Sequence, residues 1–190
     1  SGGSGGSGGF VEDDLIVGAL VVAQDAGGTV VTVQTNANGE FQFPAGFTPV
    51  GDITAIGGYQ QGDANQAEMG EFKIKVDPEF TAQDANGNDV IPITPITDLM
   101  SELVEEGMTA QEAENLVKLQ SPVLFGVDLS DVEIISAKSN SEKISEGIEP
   151  EKSAKLISAQ STLYDISDLA VNTMEEDEGT FTQSQRNSRR

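Results

Sequence analysis

The chain changes its hydrophobic period once. Up to about residue 92, apolar and polar positions alternate over short runs; beyond it they recur every three or four residues. "GALVVAQDAGGTVVTVQTNANGEFQFPAG" holds three strand candidates. In the first, Leu20 and Val22 share one face while Ala19, Val21 and Ala23 share the other. "DAGG" at residues 25–28 turns the chain, and Val31 and Val33 then alternate with Thr32 and Gln34. "NANG" at residues 36–39 turns it again, and Phe41 and Phe43 oppose Glu40 and Gln42. "DITAIGG" supplies a further strand. In "EFKIKVD", Phe72, Ile74 and Val76 point one way and Glu71, Lys73 and Lys75 the other. Short strands at about ten-residue spacing predict a small antiparallel β-sandwich.

From Pro92 the pattern becomes helical. Thr94 is an N-cap, Pro95 suits the first helical position, and Ile96, Leu99, Met100, Leu103 and Val104 follow at helical spacing. Gly107 ends this helix as the residue after its cap. "TAQE" at residues 109–112 is a capping box for a second helix, with Met108 and Ala113 as its hydrophobic staple and Pro122 after its end. Two helices so close in sequence predict a hairpin. An irregular stretch, "VLFGVDLSDVEII", separates them from a long helix starting near Glu149. Its stripe of Leu156, Ile157, Leu163, Tyr164, Ala170, Val171 and Met174 is interrupted by Gln160 and Ser167. Four acids at residues 175–178 oppose the helix dipole, so the end should fray there. The apolar helical stripes need a surface to cover, and a small sandwich has edges that need covering. The fold class expected is therefore α+β: a sandwich, then a helical hairpin and a long C-terminal helix packed on it.

Composition adds boundaries to this picture. "SGGSGGSGG" at residues 1–9 reads as a flexible linker, an added segment outside the fold. The strand part is expected over residues 10–92, the helical part over 93–176, and a disordered tail over 177–190. Net charge is −22, from 32 acids against ten basic residues, and all three arginines lie in the last five positions. Such a surface repels nucleic acid and anionic lipid and suits a salty medium or divalent cations. No apolar run is long enough to insert in a membrane. With no cysteine and no histidine, thiolate and imidazole metal sites, a cysteine nucleophile and a serine–histidine triad are excluded. Two carboxylates could in principle serve a glycosidase, but the chain has no tryptophan and only two tyrosines to form a sugar platform. The expectation is that the chain is not an enzyme.

Two acidic stretches carry the candidate chemistry. "DANGND" places Asp84, Asn86 and Asn88 at alternate positions, with Asp89 next to them, which is how a calcium loop begins. It is not an EF-hand, because Asp89 and Pro95 stand where the sixth-position glycine and twelfth-position glutamate belong. The bland reading is an Asx-rich turn. "VEDD" gathers Glu12, Asp13 and Asp14 at the start of the module as a second calcium candidate, against the bland reading of a solvated acidic stretch. A lysine–asparagine crosslink of the kind found in some surface sandwiches is not favoured, because Lys73 and Lys75 face outward.

The order of these motifs resembles a known family. "VGALVVAQDAGGTVVTVQTNANGEFQFP" is similar to prealbumin-like, carboxypeptidase-regulatory β modules, whose "T-x-A-N-G-x-F" unit corresponds here to Thr35–Phe41. "VIPITPITDLMSELVEEG" followed by "GVDL" looks like the segment after such modules in very large bacterial surface adhesins. The resemblance covers about residues 15–175. It implies an extracellular, calcium-using adhesin or biofilm-matrix module at the bacterial cell surface, exported by type I secretion. Its implied partners are neighbouring modules of the same protein or a surface or matrix component, with self-assembly open. The family's loop between the first strands is shortened here to residues 25–28, which counts against a metal there. Two functions are expected from different classes: a structural and adhesive spacer, and a module that binds a peptide, glycan or partner strand at a sheet edge.

Overall fold

A computed structural model describes residues 7–67 and 72–176, with side chains followed as far as Ile166. The strands are β1 (Gly8–Val11), β2 (Ile16–Val17), β3 (Leu20–Gln24), β4 (Val30–Gln34), β5 (Glu40–Gln42), β6 (Val50–Ile56), β7 (Tyr59–Gln60), β8 (Lys73–Val76), β9 (Ala82–Gln83) and β10 (Asp89–Ile93). The helices are α1 (Pro95–Glu105), α2 (Ala110–Phe125), α3 (Asn140–Ser145) and α4 (Pro150–Glu176). The architecture is mixed α+β. Two four-stranded sheets run in the orders β5-β1-β10-β9 and β4-β3-β6-β8, and β2 pairs with β7.

Alternation along the strands decides what is buried. Val21 and Ala23 of β3, Ile53 and Ala55 of β6, and Ile74 and Val76 of β8 enter one apolar cluster. Val11, Phe41, Ile91 and Ile93 of the other sheet enter the same cluster. The outward residues Lys73 and Lys75 are exposed, and Lys75 pairs with Asp52 at 3.4 Å. Pairing is not antiparallel throughout, since β1 runs parallel to β10.

The glycine-rich start is not all linker. Residues 1–6 lie outside the described residues, but Gly8 and Gly9 are part of β1, between β5 and β10, and the Ser7 carbonyl accepts from the Phe43 N–H. A Cβ on Gly9 would lie 2.1 Å from the Ile91 carbonyl oxygen, and one on Gly8 would lie 2.7 Å from that of Phe41. Only a residue without a side chain lets β1 sit this close to both neighbours.

The joint between the halves is continuous. The expected division at residues 92 and 93 falls inside β10, which runs directly into α1. Pro92 is tolerated in β10 because β9 pairs only with Asp89 and Val90, so no neighbouring strand needs its missing N–H. Its carbonyl accepts from the Thr97 hydroxyl at 2.9 Å, and Thr94 and Thr97 form a reciprocal capping box.

The helical hairpin forms as its caps dictate, with Thr109 and Glu112 closing the second capping box. Pro122 lies inside α2 rather than beyond it. A proline there removes the N–H that would bond the Lys118 carbonyl, and the Ser121 hydroxyl donates to that carbonyl instead at 2.7 Å. The helix ends at Gly126 in the left-handed region, φ 73°. Ile96 and Met100 of α1, Ala113, Val117 and Phe125 of α2, and Leu156 and Ala159 of α4 form a second apolar cluster. The helices also meet the strands: Phe72 packs on Tyr164 with ring centroids 5.7 Å apart, and the Asp77 N–H donates to the Ser101 hydroxyl at 2.8 Å. The acidic end of the long helix and the tail over 177–190 lie beyond the residues whose side chains are described.

Candidate functional site

The two halves are pinned together where "VEDD" leaves β1. Glu12 follows Val11, and its backbone N–H still bonds the Ile93 carbonyl at 2.9 Å. Its side chain is fully buried and turned toward the helical half. There it meets the first turn of α3. One carboxylate oxygen accepts from the Asn140 side-chain amide at 2.7 Å and from the Asn140 N–H at 3.3 Å. The other accepts from both the N–H and the hydroxyl of Ser141 at 3.1 Å. The Gln160 amide of α4 approaches at 3.5 Å.

This accounts for the donors at the start of α3. A helix leaves its first N–H groups without internal partners. Ser139, the N-cap, accepts from the N–H of Glu142, and Glu12 takes those of Asn140 and Ser141. A carboxylate from 128 residues away thus completes the cap of a six-residue helix too short to hold itself. The negative charge also sits at the favourable end of the helix dipole. Among the described residues no lysine or arginine pairs with Glu12, so its burial depends on these neutral donors.

Asp13 is the opposite case. It is 3 % exposed, yet among the described residues no donor reaches its carboxyl; only its backbone carbonyl is used, by the Gln60 amide at 2.8 Å. Burial first, then the charges of Asp14, Asp165 and Glu12, push its pKa up to about 7. Asp14 is exposed and holds φ 46°, a left-handed turn conformation that aspartate accepts more readily than most residues. The Gln160 side-chain carbonyl is buried and has no hydrogen-bond partner among the described residues. "VEDD" is therefore not a uniformly solvated run. One acid is a structural clamp, one is buried with no donor among the described residues, and one is a turn.

The "DANGND" loop closes on itself. Asp84 accepts from the N–H groups of Asn86 and Asn88 at 2.9 Å each and from the Asn88 amide at 3.3 Å. Those bonds, led by the Asn88 N–H, hold the Asp84 pKa below its usual value. Asp89 accepts from the Gln83 amide at 3.3 Å. The loop is an Asx turn joining β9 to β10. Its oxygens serve its own backbone, and among the described residues no three acids are grouped to hold a metal.

Between this loop and α3 lies a groove of about 710 Å³. The backbone of Gly8 and Gly9 contributes to its lining, and Glu40, Asp84, Asp89 and Glu142 give it an acidic character. Its lysine, Lys138, is tied to Glu146 at 2.6 Å.

Sequence reasoning singled out Glu12 but missed Asn140, Ser141 and Gln160. Two signals were present. "SNSE" at residues 139–142 has the spacing of a capping box, and Gln160 breaks the apolar stripe of α4. No protein family, curated protein or solved structure matches this chain.

Proposed function

We propose that the chain is a non-catalytic structural and adhesive module of an extracellular bacterial surface or biofilm-matrix protein, positioning neighbouring domains. The observation that carries this reading is the Glu12 clamp, which ties residue 12 to residues 140, 141 and 160 and makes the strand and helical halves resist separation together. A spacer needs that property, whereas turnover would need a reactive group presented to a cleft. The motif order and the strong acidity support the same assignment. A prealbumin-like sandwich is the finer fold reading within it, supported by two four-stranded sheets sharing one cluster and by the Thr35–Phe41 turn. Pulling on the chain between two marker domains tests the proposal: a spacer gives one unfolding event spanning both halves. Two separate low-force events would contradict it.

The groove between the Asp84–Asp89 loop and α3 favours a second reading, a module that binds a ligand. Its acidic lining suits a cationic peptide better than an anionic glycan. Retention of lysine-rich peptides on an array, lost when Glu142 and Asp89 are neutralised, would move the assignment to this reading.

A further inference from the structure

The two edges of the β4-β3-β6-β8 sheet are finished differently. Helix α1 packs along β8, and the Asp77 N–H just beyond the strand bonds the Ser101 hydroxyl of α1. The core-facing residues of β8, Ile74 and Val76, are at most 2 % exposed. At the other edge no element among the described residues covers β4. Its core-facing Val31 and Val33 pack on the same cluster but stay half-buried, and Val30 is 60 % exposed.

The register shows which backbone groups are open. Asp25 bonds Thr29, and Thr35 bonds Ala19, at the two ends of the β3–β4 ladder. Alternation between them turns the N–H and C=O groups of Val31 and Val33 toward β3. Those of Val30, Thr32 and Gln34 point outward, and among the described residues none has a backbone partner. Soluble proteins blunt such an edge with charge, proline, a bulge or a covering element. Among the described residues β4 has none of these. Residues 26–39 contain no charged side chain, although the whole chain carries 32 acids.

We propose that β4 is the dimerisation edge of this protein and that its occupant is the β4 of a second copy, antiparallel about a two-fold axis at Thr32. Charge selects the occupant. Two molecules of net charge −22 repel over most of their surfaces, and the uncharged run allows close approach. Asp25, the acid that precedes it, is seven residues from Thr32, roughly 23 Å along an extended strand and well beyond the ~8 Å screening length at physiological salt. The strand is self-complementary: Thr32 meets Thr32, Val31 meets Val33, and Val30 meets Gln34. Three outward-facing residues per strand allow up to ~six main-chain hydrogen bonds. The inference rests on the open edge, not on the Glu12 clamp.

Sedimentation equilibrium on the full chain tests it. A concentration-dependent dimer is expected, strengthened as sodium chloride is raised and carboxylate repulsion is screened. T32K and T32E should each weaken dimerisation by at least ~10-fold, by placing like charges directly opposite. An equimolar mixture of the two should recover a heterodimer. Because either variant could misfold, amide exchange on the wild-type chain is read as well: Val30, Thr32 and Gln34 should become protected as concentration rises, while Val31 and Val33 change less. A chain that stays monomeric with those three amides fast, or a dimer indifferent to T32K and T32E, would overturn the proposal.

Discussion

The two acidic stretches read alike in the sequence and do different work in the fold. Glu12 of "VEDD" reaches across the molecule to donors 128 to 148 residues away, whereas Asp84 of "DANGND" finds its donors two to four residues on. Burial separates them too. Glu12 is fully inside and Asp84 is at a surface turn. A carboxylate that satisfies its own turn holds a loop, while one buried against a distant helix start holds two halves of a protein. The spacing of acids did not distinguish these roles; the position of the donors did.

Breaking the long-range case should have the largest effect. Glu12→Ala strands several first-turn donors of α3, each costing about 1–3 kcal/mol when left buried and unpaired, and should cost about 3–5 kcal/mol in all. Urea denaturation against the wild type measures it. A loss below ~1 kcal/mol would mean the clamp is dispensable. Asn140→Ala removes one strong donor but keeps the backbone bonds, so about 1–3 kcal/mol is expected. A double-mutant cycle with Glu12→Ala should show that most of this loss is shared.

Asp13 sharpens the comparison from within the same stretch. Its folded pKa of about 7 stands above the ordinary 3.8. Between those values the folded state holds a proton that the unfolded state releases. The stability from this group is therefore full below pH 3.8 and is lost as pH climbs to about 7. Asp98, raised to about 7 mainly by burial and then by Glu102, acts in the same direction. Asp84, Glu112 and Asp128, all lowered chiefly by backbone hydrogen bonds, act in the opposite direction and lose their contribution as pH falls. Asp13→Asn should raise the melting temperature at pH 8 and flatten its decline between pH 4 and 7. An unchanged slope would count against the buried environment of Asp13.

The smallest effects belong to the local turn. Asp84→Ala should lower the melting temperature far less than Glu12→Ala, because the turn is exposed. Removing calcium with a chelator should leave the melting curve unchanged, since the loop oxygens already serve their own backbone. A calcium-dependent rise that disappears in Asp84→Ala would favour the metal reading of this loop over the Asx turn alone.

What could be read in advance follows from range. Strands with a clean alternation, such as Ile53 and Ala55 or Ile74 and Val76, declare their buried face locally, and so do the capping boxes at Thr94 and Thr109. β1 was invisible because Gly8 and Gly9 have no side chains to show a period, and their role is set by the closeness of Ile91 and Phe41. β2, β7 and β9 are two residues long, too short for any pattern. Pro122 marked a helix end by the usual rule, and a hydroxyl one residue earlier let the helix continue. α3 and the clamp needed each other, and neither half of that pair signals its partner from 128 residues away.

Scanning calorimetry of the full chain tests the central claim most directly. The clamp predicts one transition for the wild type, with calorimetric and van't Hoff enthalpies in agreement, and two separated transitions for Glu12→Ala. Two independent transitions in the wild type, or one undisturbed transition in Glu12→Ala, would contradict it.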